Sequence, residues 1–228
     1  MENGSIRLSF SKHVLAFGLL TLIAIFAREA SAIPIFINEI HYDNAGADTG
    51  EAVEIAAPAG SDLAGWSLVL YNGSNGLSYR TTALTGIIAD QQAGFGTRSF
   101  GILGIQNGAP DGLALIDPSS SVIQFLSYEG VLTANNGPAA GMSSTDIGVF
   151  ESGSTPVGHS LQLAGNGNTY GDFSWESPNL NTFGNVNTRQ SFVAPAAVPE
   201  PPALFLLGTG LTIVVFLFKK RTSTLRRS

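Results

Sequence analysis

The chain of 228 residues contains no cysteine. Disulfide bonds, four-cysteine zinc sites, iron–sulfur clusters and thiol nucleophiles are therefore excluded. If the chain reaches an oxidising compartment, its stability must come from side-chain packing, with a bound metal ion as a further option.

Basic residues are scarce in the middle of the chain. Residues 33–198 contain no lysine and only three arginines, against fourteen aspartates and glutamates, which gives this region a formal charge of −11. Binding to phosphate backbones needs clustered lysine or arginine. Nucleic acid and anionic lipid are therefore poor partners for this region, and divalent cations and weakly charged polysaccharides are better ones.

Sequence patterns of common catalytic sites are also missing from this region. It has no Gly-x-Ser-x-Gly motif, P-loop or dinucleotide fingerprint. His159 and Ser160 are neighbours at the start of a predicted strand, so their side chains should point to opposite faces and make a poor nucleophile–base pair. His41 beside Asp43 admits a metal or base role, but a hydrogen-bonded structural histidine is the simpler interpretation.

Short apolar runs, separated by Gly, Asn, Asp, Ser and Pro roughly every 8–12 residues, fill the region instead. No sustained helical periodicity is present between residues 33 and 195. The pattern predicts one all-β domain over residues 33–193, built as a two-sheet sandwich. Predicted strands cover residues 33–42, 52–56, 63–71, 79–84, 100–105, 112–116, 122–127, 160–163 and 173–176.

The sequence also gives predictions for the two tryptophans of this domain and for one long loop. Trp66 shares a strand face with Leu68 and Leu70, which predicts a core position, and a carbohydrate-stacking role is the alternative. Trp175, near the domain's end, is the better candidate for partial exposure. Residues 132–158 are rich in Gly, Ser and Pro and are predicted to connect strands while covering a sheet edge or presenting a binding surface.

Acidic residues cluster around the loop at residues 43–50. Carboxylates at a loop mouth are ligands that calcium prefers, so Glu39, Asp43, Asp48 and Glu51 form a candidate calcium site, with Glu54 nearby. The spacing does not fit an EF-hand, because Ala45 occupies a ligand position. The alternative is a solvated acidic loop in which Glu39 or Glu51 caps backbone amides.

The N-terminus has the pattern of a secretory signal peptide. Two basic residues precede a short apolar core at residues 14–26, and Ala30, Ser31 and Ala32 form a small-x-small cleavage site. Cleavage is expected after Ala32, which makes residues 1–32 the signal peptide. A first membrane helix is the alternative, against which the short core and the cleavage site argue.

The C-terminus has three consecutive parts. A Pro/Ala-rich spacer at residues 194–202 contains the motif Val198, Pro199, Glu200 and Pro201. An uncharged apolar run from Ala203 to Phe218 follows, which can satisfy its backbone in lipid only as a helix. Residues 219–228 form a basic tail, predicted to stay in the cytoplasm, that begins with Lys219, Lys220 and Arg221.

This order resembles the PEP-CTERM sorting signal, which implies recognition by an exosortase-type membrane protease after export by the secretion machinery. The helix of 16 residues would span roughly 24 Å, less than a hydrocarbon core of roughly 30 Å. A short helix suits a segment that anchors the chain in the inner membrane only until it is cut. An ordinary single-pass anchor is the alternative. Pro202 stands where the signal more often has a small hydroxylated residue.

The β domain resembles the bacterial lamin-tail domains over roughly residues 34–190. The matching blocks are residues 37–43, 50–55 and 62–68, followed by weaker matches at residues 112–115, 159–162 and 175–187. The resemblance implies an immunoglobulin-like sandwich and an adhesive or accessory role. At residues 56–60 the chain lacks the Asn-Pro turn more usual in that family.

Together these features predict an exported, non-enzymatic surface or matrix protein of a Gram-negative-type bacterium, associated with exopolysaccharide and biofilm. No cofactor is expected apart from the candidate calcium ion, and extracellular polysaccharide is the candidate ligand. The alternative is an extracellular metal-dependent hydrolase of the nuclease or phosphatase type.

Overall fold

The computed structural model of the protein describes residues 35–195. The predicted signal peptide, the Pro-Glu-Pro motif, the membrane helix and the basic tail lie outside the described residues. Among residues 35–195, none of the helices has the length and apolar character that a membrane crossing requires.

The described region is all-β, with one short 3₁₀ helix at Tyr170–Asp172. In chain order its strands are β1 (Phe36–His41), β2 (Ala52–Pro58), β3 (Ser67–Asn72), β4 (Leu77–Ala83), β5 (Phe95–Gly101), β6 (Asp111–Ile116), β7 (Val122–Tyr128), β8 (Thr145–Asp146), β9 (His159–Gly167), β10 (Phe173–Leu180) and β11 (Gln190–Phe192).

The strands form two sheets. The first has the order β10-β9-β1-β2-β5, with β11 pairing in parallel with β9. The second has the order β4-β3-β6-β7-β8, in which only the short β8 pairs in parallel. Seven of these nine strand pairings are antiparallel, and four of the seven, β1–β2, β3–β4, β6–β7 and β9–β10, join consecutive strands.

One apolar core lies between the two sheets and makes the arrangement β-sandwich-like. Val53 and Ile55 of the first sheet share it with Leu68 and Leu70 of the second. This confirms the face predicted for Leu68 and Leu70 in β3, and the same alternation places Val53 and Ile55 of β2 inward. Trp66, predicted to be a core residue of the same strand as Leu68, lies just before β3 and is half-buried, packed against the core.

The outer face of the second sheet is covered by part of the long connecting segment. Val69 and Tyr71 are buried there with Leu132, Ala134 and Ala139. The backbone N–H of Ala139 donates to the Tyr71 hydroxyl at 3.1 Å. The segment from residue 132 is thus a third layer over the sheet, which accounts for a strand buried on both faces.

The predicted strand at residues 100–105 is wrong in its position. The strand is Phe95–Gly101, and the chain turns immediately afterwards. Ile102 and Ile105 are buried in the core, which produced the apolar signal. Ile102 still donates its N–H to the backbone carbonyl of Glu51 at 3.0 Å. Beyond it the pairing ends, because Gly104 and Ile105 donate their N–H groups to the Glu51 side chain, both at 2.7 Å.

Candidate functional site

A buried ion pair joins the end of β1 to the long connecting segment. Nδ1 of His41 lies 2.9 Å from Oε1 of Glu151, and both residues are about 1% exposed. The other carboxylate oxygen of Glu151 accepts the backbone N–H groups of Tyr42 at 2.6 Å and Asp43 at 3.1 Å. Glu151 therefore provides hydrogen-bond acceptors for the backbone N–H groups of the two residues that follow β1.

The partners of His41 require both of its ring nitrogens to donate. Nε2 faces the carbonyl oxygen of Thr49 at 3.0 Å and Oδ1 of Asn44 at 3.2 Å, while Nδ1 faces the Glu151 carboxylate. A backbone carbonyl and a carboxylate can only accept, so the imidazolium form fits the site. Burial lowers the pKa of His41, but Glu151, Thr49 and Asn44 more than offset it, and the pKa is raised.

Tyr42, the residue after β1, adds further contacts between the end of β1 and the long connecting segment. Its hydroxyl donates to Glu129 at 2.9 Å and accepts the backbone N–H of Glu151 at 2.8 Å. Its ring stacks on Tyr128 with centroids 3.8 Å apart. Residues 129–151 are thus fastened to β1 at two points.

Asp43 and Asp48 approach each other at the mouth of the 43–50 loop. Burial, followed by the charge of Asp48, raises the pKa of Asp43. The Asn107 side-chain amide lies 3.5 Å from Oδ2 of Asp48, and Asp48 also accepts the backbone N–H of Asn44 at 3.2 Å. Of the four predicted calcium ligands, these two are the ones brought together.

Glu39 and Glu51 point elsewhere and are fully engaged. Glu51 accepts two backbone N–H groups of the turn after β5, the capping role that was the alternative to calcium. Glu39 accepts the Ser160 hydroxyl at 2.5 Å and the Thr182 backbone N–H at 2.9 Å. Burial raises the pKa of Glu39, and these hydrogen bonds partly oppose the rise.

Glu54 lies opposite Glu39 on β2 and is also buried. It accepts the Asn38 side-chain amide at 3.0 Å and the Gly184 backbone N–H at 2.6 Å. Burial, with the charge of Glu39 as a smaller cause, raises the pKa of Glu54 to about 8. The two carboxylates hold residues 182–184 across the outer face of the first sheet.

Within residues 35–195, no group of three or more histidine and acidic side chains is arranged to hold a metal ion. Calcium binding at Glu39, Asp43, Asp48 and Glu51 stays a prediction from the sequence.

A small cleft opens beside the Asp43–Asp48 pair, and Asn107 belongs to both. Its volume is about 330 Å³. The walls come from the β3–β4 turn and from the segment that leads into β6, and its lining residues are Asn72, Ser74, Gln106, Asn107, Gly108, Ala109, Pro110 and Asp111.

Trp175 is half-buried, with its indole N–H donating to the Tyr170 hydroxyl at 3.0 Å. Trp66 is half-buried as well, so exposure does not separate the two tryptophans. The hydroxyl of Ser160 donates to Glu39.

Glu151 and Gln106 were missed by reasoning from sequence. Glu151 lies 110 residues from His41, inside a segment read as a loop. An isolated acid among Gly, Ser and Pro gives no local signal of burial. Gln106 follows a run of apolar residues, and only the fold shows that it borders a cleft.

No family model matches the chain, and neither do the curated proteins or the solved structures with which it was compared.

Proposed function

We propose that the chain is an exported, non-enzymatic surface or matrix protein, sorted by an exosortase-type system. The observation that carries this proposal is the order of three C-terminal parts: the motif at residues 198–201, the uncharged run from Ala203 to Phe218, and the basic cluster from Lys219 to Arg221. A short apolar helix between a proline-rich motif and a basic tail suits a temporary anchor in the inner membrane.

The β domain is the part that acts outside the cell. We assign it an immunoglobulin-like sandwich, as the resemblance to lamin-tail domains implies, and an adhesive or accessory role associated with exopolysaccharide. Two mainly antiparallel sheets that share one core support this assignment. The excess of acidic over basic residues supports a weakly charged polysaccharide partner and disfavours nucleic acid.

The buried polar residues support a binding module over a hydrolase. Both ring nitrogens of His41 contact acceptors, and Glu39, Glu51 and Glu151 each accept backbone N–H groups. Such contacts hold loops on the sheets, and they leave His41 without a free nitrogen to act as a general base.

Mass spectrometry of the protein isolated from its own host tests the proposal. We expect a mature N-terminus at Ile33 and a C-terminus near Pro199, with the processed form at the cell surface or in the matrix. A full-length protein that persists in the membrane with its basic tail would contradict sorting.

An activity screen on the same material tests the non-enzymatic assignment. We expect no turnover of nucleic acid or phosphate esters, with or without divalent cations. Metal-dependent turnover that is abolished by Asp43→Ala or His41→Ala would contradict it and favour the hydrolase.

A further inference from the structure

The cleft lined by Asn72, Gln106 and Asn107, here called the Gln106 cleft, has the properties of a ligand subsite. Its volume of about 330 Å³ is at the lower end of the range for small-molecule sites, roughly 300–1,000 Å³. That volume suits one small ring system and leaves no room for a folded partner.

Hydrogen bonds to the Asp111 side chain hold the two walls of the Gln106 cleft in place. Asp111 is buried and accepts the backbone N–H groups of Gly73 at 2.8 Å and Gly108 at 2.6 Å, which fixes both walls to one side chain. A Cβ at Gly73 would lie 1.8 Å from the carbonyl oxygen of Pro110, so the walls approach each other as closely as glycine allows.

The floor is equally constrained at Gln106. Its backbone N–H donates to the Tyr79 hydroxyl at 2.8 Å, and its carbonyl oxygen accepts a hydrogen bond from the Tyr128 hydroxyl. A binding surface that is ordered before the ligand arrives loses less conformational entropy on binding.

In the described part of the chain, two lining residues keep a side-chain amide atom without a hydrogen bond, an acceptor oxygen in Gln106 and a donor nitrogen in Asn72. Within residues 35–195, Oε1 of Gln106 is buried and finds no hydrogen-bond partner. A buried amide oxygen without a donor is unfavourable, and rotation of the side chain toward the cleft would let a ligand supply one. Asn72 uses its oxygen to accept from Ser74, which leaves its amide nitrogen as a donor.

The charge of the lining selects the kind of ligand. The lining contains no lysine or arginine, and its one charged residue is Asp111, with Asp48 beside Asn107. Anionic ligands are therefore disfavoured. Side-chain amides and a serine hydroxyl pair best with groups that both donate and accept, which is the chemistry of a neutral polyol.

We infer that the Gln106 cleft binds a single neutral sugar unit of a polysaccharide. This inference rests on the proposed role as an exported surface or matrix protein. The lining has no aromatic side chain on which a sugar ring could stack, so a single unit is bound weakly. Many copies displayed on one surface would bind a repeating polymer far more tightly than one copy binds one unit.

Calorimetric titration of the full chain with neutral and acidic oligosaccharides tests this inference. The chain is purified in a detergent without a sugar headgroup, and the probes are cello-, laminari- and malto-oligosaccharides, with oligo-alginate as the anionic probe. We expect saturable binding of at least one neutral probe and none of oligo-alginate.

Two substitutions locate the binding. Asn72→Asp keeps the oxygen that accepts from Ser74 and removes the donor, and Asn107→Ala removes the second amide. Each should weaken binding roughly three- to tenfold, the range for one lost hydrogen bond. The matched controls are Asn166→Asp and Asn166→Ala, at an exposed residue outside the lining, which should bind like the unmodified chain.

Three results would overturn the inference: no neutral probe binds, oligo-alginate binds as tightly, or the Asn72 and Asn107 variants bind like their Asn166 controls. Because the proposed function is tested by C-terminal processing in the host, the two can fail separately. A processed surface protein that binds no neutral sugar would refute the cleft alone, whereas an unprocessed chain would refute the proposed function.

Discussion

Glu39 on β1 lies directly opposite Glu54 on β2, and both carboxylates are fully buried beneath residues 182–184. Two like charges at this position would repel each other, and neither could be hydrated. The backbone N–H groups of Thr182 and Gly184 supply part of what water would supply. The raised pKa of Glu54, about 8, means that this pair carries fewer than two charges near neutral pH.

We expect the domain to lose stability as the pH rises from about 5 to about 8. The pKa of Glu54 is higher in the folded protein, about 8, than its ordinary value of 4.5, so the folded protein binds more protons in this interval. The stability that Glu54 contributes is complete below pH 4.5 and is lost as the pH rises through about 8. Thermal unfolding followed by circular dichroism across this range measures the slope.

The Glu54→Gln variant should show a flatter dependence of the melting temperature on pH. Glu176→Gln is the control, since Glu176 is half-exposed and pairs with Arg189 at the surface. Equal slopes for Glu54→Gln and the unmodified chain would contradict the assignment to Glu54.

Removing the charge at Glu151 should destabilise the domain strongly. Glu151→Gln leaves a buried imidazolium without its carboxylate, which costs roughly 3–5 kcal/mol. At roughly 2–4 °C per kcal/mol, the melting temperature should fall by on the order of 10 °C. Glu129→Gln, which changes only a contact to the Tyr42 hydroxyl, should have a smaller effect.

The Glu151→Gln cost should also depend on pH. The pKa of His41 is raised in the folded protein, so the pair's contribution is complete below the ordinary value of 6.5 and is lost as the pH rises through the folded value. A cost that stays constant up to alkaline pH would show that His41 is not charged in this pair.

Gly73→Ala should disturb the walls of the Gln106 cleft and destabilise the fold. The added methyl group meets the carbonyl oxygen of Pro110 at 1.8 Å, so the backbone must move, and overpacking of this kind costs roughly 1–3 kcal/mol. Gly101→Ala in β5 is the control, because nothing lies within 4 Å of its added Cβ. Chemical denaturation of both variants measures the difference, and equal midpoints would contradict the packing seen at Gly73.

Calcium binding at the 43–50 loop is tested by thermal unfolding with calcium and with a chelator. Asp43 and Asp48 repel each other. A calcium ion bound between the two carboxylates would offset this repulsion and should therefore raise the melting temperature. The rise should disappear in Asp43→Asn combined with Asp48→Asn. Equal melting temperatures in calcium and chelator would end the prediction.

Patterns with a period of two residues made the sheets predictable. Val53 and Ile55 alternate with Glu54, and Leu68 and Leu70 alternate with Val69 and Tyr71, so strand positions and core faces followed from local sequence. Residues 100–105 were misplaced because a buried turn has the same apolar composition as a strand.

Contacts between distant residues could not be predicted in this way. The alternation with Val53 and Ile55 places Glu54 on the opposite face of β2, but the local sequence does not show what lies over that face. Residues 182–190 cover it, with Gln190 donating to Asn38 across 152 residues. A polar residue that alternates with apolar ones looks the same whether water or another chain segment lies above it.

The cover over β1 also sets an order of events during biogenesis. Thr182 donates to Glu39 across 143 residues, so β1, the first strand to be synthesised, is covered only when residues near the end of the domain follow. Until those residues arrive, two carboxylates remain hydrated and the outer face of the first sheet is open. Final closure of the domain therefore requires that residues 182–184 have been synthesised and released from the ribosome, and a chain stalled before residue 182 would leave Glu39 and Glu54 uncovered.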